Sequence, residues 1–311
     1  MGRSSRVFLH RKCRTPILRI APVAFVAVLS ISCDKLGLGG DKSPTAPSTP
    51  PSAGSAIVYT AIGASDANGV GSSLPCLPLT DCPDGMGYVP VGVRSLKAQG
   101  FTVTVRNLGI PTAVIGRDFQ SLGQQYGRVI EANFIEQEMP FVLSNSTVVT
   151  IFAGVNEVNT ITAALGAGAG GSSPTAYIDA QVRAFAADYS TLVAGIRTRA
   201  ASARIVVLNV PNPAGLPYLA GASLAQRQAA QRAAVAMSTT VVNPMVGQGL
   251  VIVDALCDAR SYQASNYSSD GLHPNDAGYA FIASEFVRAI TSSAYPAPQS
   301  SCAAMTIVPN P

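Results

Sequence analysis

Five short apolar runs rich in β-branched residues recur between residues 56 and 256: "AIVYTAIG", "FTVTVRNLG", "STVVTIFAG", "ARIVVLNVP" and "LVIVDAL". Several are nearly continuous rather than alternating, the pattern of a strand covered on both faces. Longer segments of helical period lie between and after them, at 116–130, Tyr177–Ala200, Leu224–Met245 and Asp276–Ser292. Strands alternating with helices imply a mostly parallel five-stranded sheet inside a three-layer α/β/α sandwich, folded as one domain. No internal repeat interrupts the pattern. The low-complexity "LGAGAGGSSP", 165–174, lacks the Gly-Lys-Ser/Thr ending of a phosphate loop and reads as a flexible surface loop.

The region before residue 56 follows different rules. Residues 1–32 carry Arg3, Arg6, Arg11, Lys12, Arg14 and Arg19 and no acid, and the apolar core Ile20–Ile31 ends in "LSISC". A positive start, a short apolar stretch and small residues before a cysteine describe an export signal over 1–32. A membrane-spanning helix needs roughly 20 apolar residues, more than this core supplies. The ending resembles a bacterial lipoprotein signal, in which Cys33 becomes the lipidated first residue. Leu29 stands four places before that cysteine, where such signals prefer three; the alternative is an ordinary secretory signal cut nearby. Residues 33–55, with "GLGGDKSPTAPSTPPSAGS", read as a Pro/Ser/Gly tether, and 56–311 as the folded domain. The expected location is the cell envelope, with membrane contact only through the lipid, or else secreted or periplasmic.

The formal charge of +4 comes from that leader. Without it 15 basic residues face 17 acidic ones, and no basic patch remains to argue for nucleic acid. Cys76, Cys82, Cys257 and Cys302 remain in the mature chain, an even number suited to an oxidising compartment. Local spacing favours Cys76–Cys82, closing "CLPLTDC", with Cys257–Cys302 tying down the C-terminal tail. The two other connectivities stay open but demand long-range pairing. No CxxC pair or His/Cys cluster suggests zinc, and no cofactor is expected.

Reacting groups in open α/β sheets sit at the carboxyl ends of the strands. Three of those ends read "GASD" with Ser65, "RNLG" with Gly109 and "AGVNEVN" with Asn156. After the last strand comes "SSDGLHPNDAGY", with Asp270 and His273. Of two histidines in the chain, His10 lies in the leader, so His273 is alone in the mature protein. Asp270, three residues earlier, is placed to hold one ring nitrogen and leave the other free to take a proton. A nucleophile, a base and an orienting acid are what a serine hydrolase requires. The bland alternatives are a turn serine, a loop asparagine bonding its own backbone and a helix-capping Asp270, although Asn275 and Asp276 are better placed to cap. The α/β-hydrolase nucleophile elbow, G-x-S-x-G, fails because Ala67 occupies the second glycine position and the acid and base share one loop.

The ordered set resembles the SGNH, or GDSL, hydrolase family. "GASD" resembles its first block, with Ala64 where the family commonly has Asp. "NLG" resembles the second block and "GVNE" the third, with Glu157 in place of Asp; "DGLHPN" closely matches the fifth. The resemblance spans Ser65 to His273 and implies a flavodoxin-like sandwich. It implies Ser65 as nucleophile, His273 as base and Asp270 as its orienting acid. The oxyanion would be held by the N–H of Ser65, the N–H of Gly109 and the Asn156 side-chain amide. The implied activity is cleavage of a carboxylic ester, from a small molecule or a lipid, through an acyl-enzyme. Rival readings are a non-catalytic carbohydrate or lipid binder on the same fold, or a polysaccharide deacetylase or acyltransferase. Ala64 is expected to be neutral and Glu157 to alter hydrogen bonding around Asn156. The apolar, proline-rich insert 71–92 is expected to wall the substrate pocket, favouring an acyl chain over a naked sugar.

Overall fold

The computed structural model describes residues 49–80 and 82–310. The expected export signal and the lipidation site Cys33 lie outside those residues. The five apolar runs form strands β1 (Ala56–Gly63), β2 (Thr102–Asn107), β3 (Val148–Phe152), β4 (Arg204–Leu208) and β5 (Val251–Val253). They pair in the order β2-β1-β3-β4-β5, every neighbouring pair parallel. Strands β3, β4 and β5 are buried along their whole length, whereas the edge strand β2 alternates exposed and buried positions. The near-continuous apolar runs are thus the strands covered on both faces, including the short edge strand β5, whereas "TVTVRN" alternates as a partly exposed edge.

The strand period of two divides the core into two layers. Ile62, Ile151, Val207 and Ile252 face one side, packed against α3 (Arg117–Gln125), α4 (Val155–Gly166), α5 (Pro174–Arg199) and α6 (Leu224–Ala236). Tyr59, Val148, Leu208 and Val253 face the other, against α2 (Tyr88–Ala98) and α7 (Asp276–Thr291). There Tyr88 stacks on Phe286 with ring centroids 5.0 Å apart. The expected sandwich is present.

Several boundaries differ from the sequence reading, for identifiable reasons. Helix α2, which the sequence reading did not mark, begins inside the insert and runs beyond it to Ala98; Pro90 falls in its first turn, where a missing N–H costs nothing. Helix α4 opens in β-branched residues, "VNEVNTIT", that resemble a continuing strand. The glycine-rich segment 165–174 is not all loop: Leu165 and Gly166 end α4 and Pro174 begins α5. The single helix expected over 224–245 is α-helical only to Ala236, then widens into a π turn at Met237–Val242 and tightens to a 3₁₀ turn. In the widened turn the Ser238 hydroxyl accepts from the Val210 N–H and donates to the Val210 carbonyl, at 2.9 and 2.8 Å. Packing onto the end of β4 thus overrides the regular helix.

Cys76 is bonded to Cys82 and Cys257 to Cys302, the locally favoured pairing. Among the described residues no helix is long and apolar enough to cross a membrane.

Candidate active site

In the order 2-1-3-4-5 the chain leaves β1 in one direction to β2 and in the other through β3. The crevice at the carboxyl ends of β1 and β3 is therefore the topological switch point, where such sheets bind ligands. Ser65 follows β1 and opens the one-turn helix α1 (Ser65–Asn68); Asn156 follows β3 in the first turn of α4. As the first residue of a helix, Ser65 carries an N–H that no intrahelical carbonyl reaches.

His273 arrives from a loop 208 residues later in the chain, and its Nε2 lies 2.9 Å from Ser65 Oγ. Its Nδ1 lies 2.6 Å from Asp270 Oδ2. The other carboxylate oxygen accepts the N–H groups of Leu272 and His273, at 2.8 and 2.9 Å, and the Ser268 hydroxyl at 2.9 Å. Partial burial alone would raise the Asp270 carboxyl. The bond to the His273 ring, helped by these other donors, outweighs that and holds it down at about 2. Asp270 is therefore an ionised, four-times-bonded acceptor. Asn275, not Asp270, caps α7, accepting from the N–H groups of Ala277 and Gly278.

The loop is braced from behind by the insert that follows α1. Gly71 has φ +92°, and a Cβ there would stand 2.8 Å from the Cβ of His273, so only glycine lets the insert pass beneath the ring. Ser73 donates through its N–H and its hydroxyl to the two oxygens of Asp276, at 2.7 and 2.6 Å. The Tyr279 hydroxyl donates to the Val70 carbonyl at 2.6 Å. None of residues 71–92 lines the cavity beside Ser65 and His273. The expectation that this insert walls the pocket is corrected: it supports the base loop and then forms α2. Its exposed Leu74, Leu77 and Leu79 sit on or beside the disulfide loop. The cavity walls come instead from the ends of β3, β4 and β5, from 260–274 and from α7.

On the other side of Ser65, the Asn156 amide nitrogen donates one hydrogen to the Ala113 carbonyl at 3.0 Å, leaving its second hydrogen for the cavity that Asn156 lines. Gly109 is placed differently from expectation. Its N–H donates to Asn107 Oδ1 at 3.1 Å, its carbonyl accepts from the Asn68 amide at 2.8 Å, and it does not line the cavity. A Cβ at Gly109 would stand 2.5 Å from that of Ala67. Glycine is needed there for close approach of the loop to α1, not to present a free donor. Asn107 completes the brace by donating to the Ala67 carbonyl at 2.7 Å.

Two buried carboxyls hold these loops together: Glu157, expected to alter hydrogen bonding around Asn156, and Glu138, which the sequence did not mark. Glu157 accepts the Gly154 N–H at 2.8 Å and the Ile115 N–H at 2.5 Å, joining the turn that carries Asn156 to the loop that carries Ala113. Burial raises its carboxyl to about 7, although the backbone donors oppose the shift. Glu138 accepts the Gly63 N–H at 3.0 Å, two residues before Ser65, and burial raises it well above the carboxylate range. Asp66, beside Ser65, also lines the cavity; burial raises it, with the His273 charge acting in opposition. Among the described residues no group of three or more His, Cys, Asp and Glu side chains is arranged to hold a metal ion.

Comparison with solved structures agrees on the fold. An extracellular lipase from Streptomyces rimosus superposes with a TM-score of 0.52 at 18% identity, covering 76% of this chain and 100% of its own. A lipase from a goat rumen metagenome gives 0.52 at 15%, covering 76% and 99%. A mutant acetyl-xylooligosaccharide esterase from Geobacillus gives 0.50 at 17%, covering 78% and 97%. No curated protein matches the sequence. The model of the GDSL-like lipase/acylhydrolase family matches residues 37–281, most of the chain, and the protein belongs to that family.

Proposed function

We propose that the protein is an exported serine esterase that cleaves carboxylic esters through an acyl-enzyme. The observation that carries this reading is the continuous hydrogen-bonded line from Asp270 through His273 to Ser65 at the sheet's switch point. In the first half-reaction Ser65 Oγ attacks the ester carbonyl carbon while its proton passes to His273 Nε2. Asp270 holds the ring and stabilises the imidazolium. The negative charge gathers on the carbonyl oxygen, facing the Ser65 N–H and the second hydrogen of the Asn156 amide. The tetrahedral species collapses as His273 returns the proton to the leaving alcohol. Water then attacks the acyl-Ser65 ester, with the same nitrogen as base, and the acid leaves. Gly109 acts in this scheme through the shape of its loop.

Export is supported by the leader sequence and by two disulfides, which persist in oxidising compartments. Cys33 is the proposed lipid attachment point and 33–55 the tether. Labelling with a fluorophosphonate tests the catalytic reading: one label is expected on Ser65, lost in Ser65→Ala. A chain that neither labels nor turns over any ester is a binder on this fold.

A further inference from the structure

We infer that the strap 302–310 is a positioning element of the active site; this rests on the esterase reading above. The strap leaves Cys302, which is bonded to Cys257 in the loop after β5. It then runs over two buried amide side chains. Asn212 is fully buried and donates to the Ala304 carbonyl at 2.8 Å and to Gln231 Oε1 at 3.1 Å. Gln231, on α6 and also buried, donates to the Val308 carbonyl at 2.7 Å and accepts the Val308 N–H at 3.0 Å. Val308 is itself buried, and Ile307 fills the space above Gly215, where a Cβ would stand 2.4 Å from its Cδ1. Removing the strap strips partners from both amides, and a buried amide without partners does not keep its place.

What those amides hold is a cavity wall and the base turn. Asn212 lies next to Pro211, and the segment it opens supplies Leu216; both Pro211 and Leu216 line the cavity beside Ser65 and His273. The Asn212 N–H donates to the Tyr262 hydroxyl at 3.0 Å, which donates in turn to the Leu256 carbonyl, so one node also fixes the loop after β5. Two residues past Leu216, the Tyr218 N–H donates to the Gly271 carbonyl at 3.0 Å. Gly271 stands between Asp270 and the Leu272 and His273 N–H groups that Asp270 accepts. Its φ of +70°, and the 2.6 Å that would separate a Cβ from the Tyr218 nitrogen, make glycine necessary at this contact. The base turn is therefore gripped from two directions, by the insert beneath the ring and by 212–219, which the strap holds down. A small shift of that turn moves the His273 ring against Ser65 Oγ and changes the rate without changing the fold.

The test compares the mature protein with a chain ending at Cys302, which keeps the disulfide and the whole line from Asp270 through His273 to Ser65. The melting temperature of each is measured first. The rate of Ser65 labelling by a fluorophosphonate and kcat on p-nitrophenyl acetate are then read well below it. Both rates per folded molecule should fall about tenfold or more in the shortened chain. Tyr218→Pro in the full chain deletes the N–H given to Gly271 and should lower both rates by a similar factor relative to Tyr218→Ala, which keeps it. Combining Tyr218→Pro with the shortened chain should add little, because both act through one contact. Val308→Asp, whose charge cannot stay buried, replaces the shortened chain if that fails to fold. A lower melting temperature with both rates unchanged overturns the inference and leaves the strap a stability clamp alone. So do fully additive losses, which would place the effect of the strap outside the base turn. A native protein that neither labels nor turns over any ester removes the esterase reading itself.

Discussion

The two sides of Ser65 are built by different means. The side of the proposed base is local and open: Asp270 takes all its donors from Ser268, Leu272 and His273, on one short exposed turn. The side proposed to hold the oxyanion is remote and buried. There Glu157 reaches Ile115, 42 residues away, and Glu138 reaches Gly63, 75 residues away. The same chemical group behaves oppositely in the two settings, with Asp270 held at about 2 and Glu157 raised to about 7. A carboxylate that gathers donors near water is stabilised as an ion, whereas one sealed from water is pushed toward its neutral form even with two N–H donors. Asp270 thus keeps its charge across the physiological range, whereas Glu157 changes charge within it.

The largest expected effects treat both sides as equally necessary. Ser65→Ala and His273→Ala should each remove nearly all esterase activity, a loss of roughly 10⁴-fold or more in kcat, and the double variant should lose little beyond either. Strong additivity in that double variant would mean that the 2.9 Å contact is not a working pair. Asn156→Ala should lower kcat by roughly a hundred- to a thousand-fold with an unchanged melting temperature. A loss of only a few-fold would show that its second hydrogen points away from the reacting oxygen.

Glu157→Gln sharpens the contrast between the sides. The amide offers one acceptor where the carboxyl offers two, so one loop is released, and kcat should fall about tenfold with KM little changed. Stability separates this from a general packing defect. A carboxyl raised above its unfolded value stabilises the fold fully below about pH 4.5, and that contribution is lost as pH rises through about 7. Thermal scans from pH 4 to 8 should show the native protein losing up to about 3 kcal/mol relative to Glu157→Gln. Parallel curves would end the claim that Glu157 titrates there. Asp270 gives the smallest signal, with the opposite sign. Its contribution is present above about pH 4 and disappears as pH falls toward 2, and exposure keeps it small. Chemical denaturation at pH 5 and pH 2.5 should show Asp270→Asn losing less stability than the native protein over that interval.

This contrast also explains what the sequence revealed. The base side was legible because its partners lie within six residues, so "DGLHPN" carries both the chemistry and the geometry that orients it. Strands β3, β4 and β5 were legible because burial on both faces leaves an apolar run, and β2 because its β-branched residues alternate with polar ones. The bonds from Glu138 to Gly63 and from Glu157 to Ile115 were not, since those partners are backbone N–H groups on distant loops, which leave no mark on side-chain spacing. Gly109 misled for a related reason. Its block was visible, but whether a glycine frees a donor or admits a neighbouring Cβ depends on Ala67, placed by a different turn. Pro90 and Gly92 concealed α2 because helix-breaking character depends on position within the helix, and that position follows from packing against α7.

The span of 208 residues between Ser65 and His273 has a consequence in time. A chain lengthening at about 5–20 residues per second makes its histidine some 10–40 seconds after its serine. Through that interval the strand-end serine exists without a base, and the unfinished polypeptide is chemically inert toward esters. A polypeptide that ends anywhere before residue 273 therefore carries the serine without the histidine that contacts it.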